Sequence, residues 1–260
     1  SFTFNKNTIK EQAEAPQLYA NTASTGHCYG QAFGYVANGF FQKSDDINGD
    51  GIISTSEMTE KGYPVQSFTT VYPGDVKYVD LTGENIIDAN DRKAIGYSTT
   101  APDIYYNFHL GAEYKGIGLD AMFQGVGRWT GFMTTNGLYR SAVATNTLSQ
   151  YLYENSWSAE RGNTESALFP RLSTTSNANN DLNSTLNMFD RSYIKLRYVE
   201  LYYHLPKSLL NKLSVINNIK LYVRGTDLFT ADHLDKADAA SYGVAQPLTR
   251  SVQLGAALTF

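Results

Sequence analysis

The sequence predicts an all-β protein whose long antiparallel strands form part of a large transmembrane β-barrel. Several segments alternate between apolar and polar residues, the period of a strand with two different sides. The connections between them alternate between short and very long. Such barrels show the same alternation, with short periplasmic turns and long extracellular loops. The sequence also ends on Phe260, in phase with the apolar side of its final segment.

The first strands are expected near residues 1–8 and 27–37. Residues 104–114 and 117–125 then alternate, each with apolar residues on one side. The dipeptide Lys115-Gly116 between them favours a tight turn, so the two segments predict a hairpin.

The last three strands are expected in residues 191–205, 218–229 and 251–260. The first of these slips in phase between Leu196 and Val199, which predicts a β-bulge, and Pro206 ends it. The other two keep a period of two. These strands total roughly seven, too few to close a large barrel.

The order of the strands assigns their connections to the two sides of the outer membrane. Turns at 115–116 and 206–217 are expected on the periplasmic side. The long connections, at residues 38–103, 128–190 and 230–247, are expected outside the cell. A structureless connection as long as 128–190 is rare in a soluble sandwich.

Composition narrows the classes of function. The 260 residues carry 21 basic and 25 acidic side chains without a Lys/Arg cluster, so no nucleic-acid partner is expected. No run of about 18 apolar residues occurs, so no transmembrane helix is expected. The lone Cys28 cannot form an intrachain disulfide. The sequence begins at Ser1 without Met, within an expected strand, and we expect a piece of a longer protein.

Residues 46–57, DINGDGIISTSE, predict a structural calcium-binding loop. They fill the twelve positions of an EF-hand loop, in which Ca²⁺ takes about six to eight oxygens. The expected ligands are Asp46, Asn48, Asp50, the carbonyl of Ile52, Ser54 through a water, and Glu57. Gly51 permits the tight turn at position 6. The alternative is a solvated acidic loop that binds no metal.

A second and weaker calcium loop is predicted at residues 80–91. Its expected ligands are Asp80, Thr82, Glu84, the carbonyl of Ile86, Asp88 and Asp91. Asn85 stands where the first loop has glycine, which requires a left-handed backbone. The alternative is an acidic loop in which Asp91 pairs with Arg92 or Lys93.

The first loop does not predict a calcium sensor. A sensor needs a helix on each side of the loop, so that binding changes the angle between the helices. Residues 39–44 before the first loop are not an amphipathic helix, and residues 55–62 after it allow one or two helical turns.

Aromatic residues in the segment 128–190 predict contacts with a substrate or partner. The rings proposed for this role are Trp129, Tyr139, Tyr151, Tyr153 and Trp157. The alternative for each ring is packing within the loop itself. The four histidines are scattered and no hydrolase motif occurs, so we do not expect an enzyme.

Five segments in order resemble the C-terminal part of SusC/RagA-type TonB-linked outer-membrane transporters. They begin YGQAFGYV, YPGDVKYVDLTGENIID, ENSWSAERG, FDRSYIKLRYVELYYHLP and IKLYVRGTDLFT, at residues 29, 72, 154, 189 and 219. Two features depart from the family pattern. Residues 80–88, DLTGENIID, lack the usual Asn-Gly-Asp-Gly core, and the loop at 46–57 is an added stretch.

The resemblance implies a barrel of about 22 strands with an N-terminal plug that is absent from this sequence. It implies residence in a Gram-negative outer membrane, in contact with lipid, and TonB coupling through the missing N-terminal part. Oligosaccharides or oligopeptides would be captured with a SusD-like surface lipoprotein. The rival interpretation is a soluble, calcium-stabilised β-sandwich that binds carbohydrate, because its strands would alternate in the same way.

Overall fold

A computed structural model describes residues 1–134, 138–141, 148–210, 216–234 and 249–260. The strands are β1 Phe2–Phe4, β2 Gln31–Gly34, β3 Ala37–Phe40, β4 Val65–Gln66, β5 Val76–Tyr78, β6 Ile86–Ile87, β7 Lys93–Ser98, β8 Ile104–Tyr114, β9 Ile117–Gly127, β10 Thr130–Phe132, β11 Met188–Asp190, β12 Tyr193–His204, β13 Asn218–Asp232 and β14 Ser251–Thr259. The helices are α1 Thr55–Glu60, α2 Gln150–Asn155 and α3 Lys207–Leu210. None of the described helices is both long enough and apolar enough to cross a membrane.

The all-β prediction is confirmed. Six long or edge strands form one sheet in the order β1-β8-β9-β12-β13-β14, and every neighbouring pair is antiparallel. Four pairs of short strands stand apart from this sheet: β2–β7, β3–β5, β4–β6 and β10–β11. The strand predicted near 27–37 therefore lies outside the main sheet, and that part of the prediction is wrong.

The chain divides into two compact units. Unit 1 contains the six-stranded sheet and comprises Ser1–Asn5, Pro102–Trp129 and Asp190–Phe260. Unit 2 comprises Lys6–Ala101 and Thr130–Phe189, and it is built mainly of loops and short strands.

Two local features of the sheet confirm predictions from the sequence. Lys115 and Gly116 turn between β8 and β9 with positive φ angles of 50° and 82°, a conformation that glycine favours. The register of β12 shifts between Leu196 and Tyr198 against both of its neighbours, β9 and β13. The phase slip in the sequence therefore marks a β-bulge.

The strand register sorts the connections of the sheet between its two ends. The turn at 115–116 and the connection from β12 to β13 join strands at one end, where Ile117 pairs with Tyr114 and Asn218 with Thr259. Residues 5–103, 128–192 and 233–250 connect strands at the other end. Parts of the predicted connections lie outside the described residues, namely 135–137, 142–147, 211–215 and 235–247.

One face of the sheet is apolar and exposed. Residues directly opposite each other on neighbouring strands point to the same face. One such row runs across five strands, through Ala112, Leu119, Leu201, Val223 and Leu254. Leu254 is 81% exposed and Leu119 is 51% exposed. Large apolar side chains in this row thus lie open on the surface of the described chain.

The other face of the sheet is polar. The adjacent row contains Gly111, Asp120, Glu200, Arg224 and Gln253. The Glu200 carboxylate, which is almost fully buried, lies 2.5 Å from both Lys220 Nζ and Arg224 Nη2. On the same face His109 contacts Asp120, and the Tyr202 hydroxyl donates to Glu113 at 3.0 Å. We call the two sides of the sheet the apolar face and the polar face.

Tyrosine rings cover glycines on neighbouring strands of the sheet. Tyr202 lies opposite Gly118, and Tyr222 lies opposite Gly255. A Cβ atom built on either glycine would collide with the ring of its partner. The missing side chain therefore makes the space in which each ring lies flat against the sheet.

The hydrophobic core of unit 2 draws on both of its chain segments. The first segment supplies most of the buried cluster, namely Tyr35, Phe40, Val76, Tyr78 and Ile87. The second supplies the buried Trp157, with Leu182 and Leu186 packed against the cluster. Strand β2 belongs to this unit, where Ala32 and Tyr35 are almost fully buried.

Candidate functional site

Position 1 of the first loop is Asp46, and its carboxylate folds the loop back on itself. Its two oxygens accept N–H groups from Gly49 and Gly51, each at 2.8 Å. Both glycines have positive φ angles, 75° and 85°, which side chains rarely adopt. The two glycines therefore allow the tight path that the motif predicts.

Position 12 is Glu57, and its carboxylate ties the end of the loop to its beginning. One oxygen accepts the N–H groups of Ile47 at 2.8 Å and Asn48 at 3.1 Å. The other accepts the N–H of Ser54 at 2.8 Å and its hydroxyl at 2.6 Å. Led by the Ser54 hydroxyl, these donors lower the pKa of Glu57 to about 2. Glu57 is thus held as a carboxylate inside the loop.

Glu57 is held in place by helix and core. It occupies the first turn of α1, where Ser54 is the N-cap residue and forms a capping box with it. Next to it Met58 is buried against Phe41, Ile53 and Val71. Ile53 also pairs with Val71 across an isolated bridge. The loop therefore rests on a small hydrophobic cluster of unit 2.

The middle of the loop keeps its polar groups at the surface. The Asn48 amide donates to Asp50 at 3.1 Å, and Asp50 in turn accepts the Ile52 N–H at 2.8 Å. Among the described residues, no three His, Cys, Asp or Glu side chains gather as they would around a metal ion. The donor set is nevertheless all oxygen, three carboxylates, an amide and a carbonyl, which suits Ca²⁺.

The second loop has the same hydrogen bonds at the same positions. Asp80 at position 1 accepts N–H groups from Gly83 and Asn85, each at 2.7 Å. Asp91 at position 12 accepts them from Leu81 at 2.8 Å and from Asp88 at 2.8 Å. These match the contacts of Asp46 and Glu57 position by position.

Two details distinguish the second loop. Asn85 has a φ angle of 59°, so it adopts the left-handed conformation expected of the residue at position 6. Glu84, an expected ligand at position 5, accepts the hydroxyl of Tyr19. Burial raises the pKa of Asp80, but the N–H donors from Gly83 and Asn85 outweigh it and leave the pKa lowered.

Asp91 is fully buried, and its carboxylate accepts backbone N–H groups. These contacts differ from the pairing with Arg92 or Lys93 that the sequence left open.

The five predicted rings fall into three environments. Trp157 is buried in the core of unit 2, close enough to Gly74 that a Cβ there would collide with its indole. Tyr151 packs edge-on against Phe169, with ring centroids 5.8 Å apart. Tyr139 is 5% exposed and lies 6.3 Å from the same Phe169 ring.

The other two rings stack on arginines. Tyr153 is 48% exposed, and the Arg161 guanidinium lies 4.4 Å from its centroid. In unit 1 the Arg191 guanidinium lies 3.7 Å from the Trp129 ring. The structure therefore does not bring the five rings together on one platform.

Tyr139 also lines a cavity of about 250 Å³ inside unit 2. The lining includes the apolar Phe169 and Leu152 and the polar Asn177, Asn180 and Asp181. Sequence reasoning identified Tyr139 but missed these partners. The three asparagines within residues 177–180 were the available signal, since such residues often fix turns through side-chain hydrogen bonds.

Comparison with known proteins gives one sequence match and several structural ones. TonB-dependent receptor P3 of Formosa agariphila is 25% identical over 251 residues, which is 92% of this chain and 22% of that protein. The RagAB peptide importer in its 'open-open' state superimposes with a TM-score of 0.65 at 19% identity, covering 100% of this chain and 26% of that one. No family model matches the chain.

Two other structures give similar values. The RagAB peptide transporter has a TM-score of 0.62 at 18% identity, and the importer in its 'closed-closed' state has 0.60 at 20%. Each match covers 94% of this chain and 24% of the other.

These matches confirm the resemblance to SusC/RagA-type TonB-dependent transporters and the all-β fold. The similar proteins are named as a receptor and as importers, in agreement with the expectation that the chain is not an enzyme. The chain spans about a quarter of their length or less.

Proposed function

We propose that the chain forms part of the wall and the outer loops of a TonB-dependent importer in a Gram-negative outer membrane. The two-faced sheet of unit 1 is the observation that carries the proposal. Its apolar face exposes large side chains in row after row, a surface that monomeric soluble proteins rarely leave open to water. Lipid would cover that face, and the polar face would line the interior.

Strand length supports the same assignment. Strands β8 and β9 contain 11 residues each, and β12 contains 12. A strand of about 9–11 residues crosses a bilayer when it is tilted. The short connections at one end of the sheet would then lie in the periplasm, and unit 2 would be assembled from the long connections outside the cell.

The cargo would be an oligosaccharide or an oligopeptide. The resemblance supports capture together with a SusD-like lipoprotein, followed by TonB-driven opening through a plug supplied by the rest of the protein. The RagAB structures are named for peptide import, which supports oligopeptides as one class of cargo.

Calcium at residues 46–57 is part of the proposal. The Glu57 contacts close the loop, and small movements of Asp46, Asp50 and Asn48 would turn their oxygens toward one ion. Its affinity would suit the extracellular range, with a dissociation constant of about 10⁻⁴–10⁻³ M. The loop at 80–91 is the weaker candidate, because Glu84 is engaged by Tyr19.

Fractionation of cells that make the full-length protein tests the proposal. We expect the protein in the outer-membrane fraction, soluble only in detergent, with a folded form that migrates differently on gels before and after heating. External protease should cut unit 2 in intact cells. Recovery of a folded, detergent-free protein in buffer would instead support the soluble carbohydrate-binding β-sandwich.

A further inference from the structure

The cavity beside Tyr139 is lined by both apolar and polar side chains. The apolar part of the lining includes Tyr139, Phe169 and Leu152, and all three are less than 10% exposed. The planes of the two rings are tilted by 39°. A ligand with one apolar face would bury that face against these side chains.

The charged groups in the lining, Arg140 and Asp181, compensate each other. The Arg140 Nη2 atom donates to the backbone oxygen of Asp181 at 2.6 Å, and its Nε lies 3.8 Å from the Asp181 carboxylate. The Ser176 hydroxyl donates to the same carboxylate at 3.1 Å. Because the guanidinium and the carboxylate already pair with each other, the cavity favours a ligand without net charge.

Two asparagines supply hydrogen-bond donors that are fixed in place. Asn177 and Asn180 each donate one amide N–H to the buried Asp75 carboxylate, at 3.0 and 2.8 Å. The side-chain oxygen of Asn180 accepts the N–H of Val76 at 3.0 Å. Each amide NH₂ has two N–H groups, and these bonds use one of them. The lining therefore combines amide N–H donors with the acceptor oxygens of Asp181.

The size of the cavity selects a compact ligand. A volume of 250 Å³ equals that of roughly eight waters in the liquid. That space suits one small ring. Hydroxyl groups both donate and accept hydrogen bonds, so a polyhydroxylated ring can match amides and a carboxylate together.

We propose that this cavity binds a single neutral sugar ring, with its apolar face on Tyr139 and Phe169 and its hydroxyls toward Asn177, Asn180 and Asp181. The inference deepens the proposed function, on which it rests, because it selects a glycan unit as the ligand presented to unit 2. The site itself would hold one residue of a longer chain or a free monosaccharide.

Calorimetric titration of the purified full-length protein in detergent tests the site. The probes are the methyl glycosides of glucose, galactose and mannose, with glucuronate as a charged comparator and the dipeptide Ala-Ala as a zwitterionic one. We expect at least one glycoside to bind with a dissociation constant of about 1 mM or lower, a modest value for a ligand of this size. Glucuronate and the dipeptide should not bind.

Variants connect the binding to the cavity. Tyr139→Ala and Asp181→Asn should each weaken glycoside binding at least about tenfold. Glu160→Gln, an exposed carboxylate of the same segment, should leave it unchanged. Asp181→Asn keeps the shape of the side chain, so it tests the site even where Tyr139→Ala fails to fold.

Three outcomes overturn the inference: no glycoside binds, both variants bind as the natural protein does, or the dipeptide binds in a way that Tyr139→Ala and Asp181→Asn abolish. Failure of the proposed function is seen separately, as loss from the outer-membrane fraction. A protein that reaches the membrane and binds no glycoside refutes the cavity alone.

Discussion

Single carboxylates hold the loops of unit 2 together, and each does so by accepting backbone N–H groups. Asp46 and Glu57 do this in the first loop, and Asp80 and Asp91 do it in the second. A charged acceptor strengthens each bond relative to a neutral one. Replacing one of these carboxylates therefore tests both the fold of its loop and its fitness for a cation.

For Glu57→Gln we expect at least a tenfold loss of calcium affinity, equivalent to about 1.4 kcal/mol. The amide keeps one oxygen but loses the negative charge and turns N–H groups toward donors of the loop. Calcium titration followed by terbium luminescence measures the affinity, and hydrogen exchange of residues 46–57 measures the loosening. The matched control Glu60→Gln changes an exposed side chain in the same helix. Equal affinity in both variants would refute the metal assignment.

Glu14 should make one loop of unit 2 sensitive to acid. The N–H of Ser24, then the hydroxyl of Thr25 and the amide of Gln12, lower the pKa of Glu14 from 4.5 to about 2. A lowered folded-state pKa means that the ionised group stabilises the fold above pH 4.5 and loses this effect as the pH falls toward 2. We expect exchange at Ser24 and Thr25, corrected for intrinsic rates, to rise across this range.

The comparison variants make the assignment to Glu14 specific. Glu14→Gln should exchange quickly at neutral pH already and show little further change on acidification. Glu11→Gln, an exposed neighbour, should behave as the natural protein. A pH dependence that survives in Glu14→Gln would assign the effect to another group.

Sequence spacing predicted the tight turn at Gly51 and the left-handed backbone of Asn85, and it missed the distant contacts. Each of the two follows from the twelve consecutive residues of its loop. The contact between Tyr19 and Glu84, and those between Asp75 and Asn180, join residues far apart in the chain. Such contacts depend on how segments pack, which no local pattern records.

At the scale of strands, the alternation of apolar and polar residues identified which segments form β-strands. It did not identify what covers their apolar sides. The hairpin of β8 and β9 and the bulge in β12 follow from the pattern. Strand β2 alternates too, yet it pairs with β7, and Ala32 and Tyr35 are buried in unit 2. The apolar side of a strand can be buried in a protein core or covered by lipid. The alternation of apolar and polar residues is the same in both cases, so it does not distinguish them.

Gly118→Ala should destabilise the sheet because the ring of Tyr202 occupies the space of the new Cβ atom. We expect the free energy of unfolding to fall by about 1–3 kcal/mol, the usual effect of overpacking. The measurement is urea unfolding of the full-length protein in liposomes. In a Tyr202→Ala background the same substitution should cost almost nothing, since the ring is gone.

Gly111→Ala is the matched control for this cycle. It lies on the neighbouring strand, and its Cβ would meet only the Leu119 oxygen at 3.9 Å. We expect no destabilisation there. A cost at Gly118 that persists without Tyr202 would show that the glycine serves the backbone and not the ring.

For the whole molecule, the two faces of the sheet should respond oppositely to a new charge. Leu110→Arg places a cation on the apolar face, where the side chain is 59% exposed. We expect this substitution to lower the stability of the folded protein in the membrane by about 2–4 kcal/mol if it lies near the middle of the bilayer. His109→Arg, one residue earlier, lies on the polar face beside Asp120 and should be tolerated. The fraction of folded protein in the outer membrane measures both, and equal effects would contradict a lipid-facing side.

The shared core of unit 2 also limits how such a protein can be engineered. Trp157 from the second segment packs with Tyr35 and Tyr78 from the first, and Arg171 pairs with the buried Asp75 at 2.7 Å. A graft of either segment alone into another transporter would carry an incomplete core and would separate Asp75 from Arg171. Transfer of specificity between relatives should therefore succeed only when both segments move together, as one interchangeable cassette.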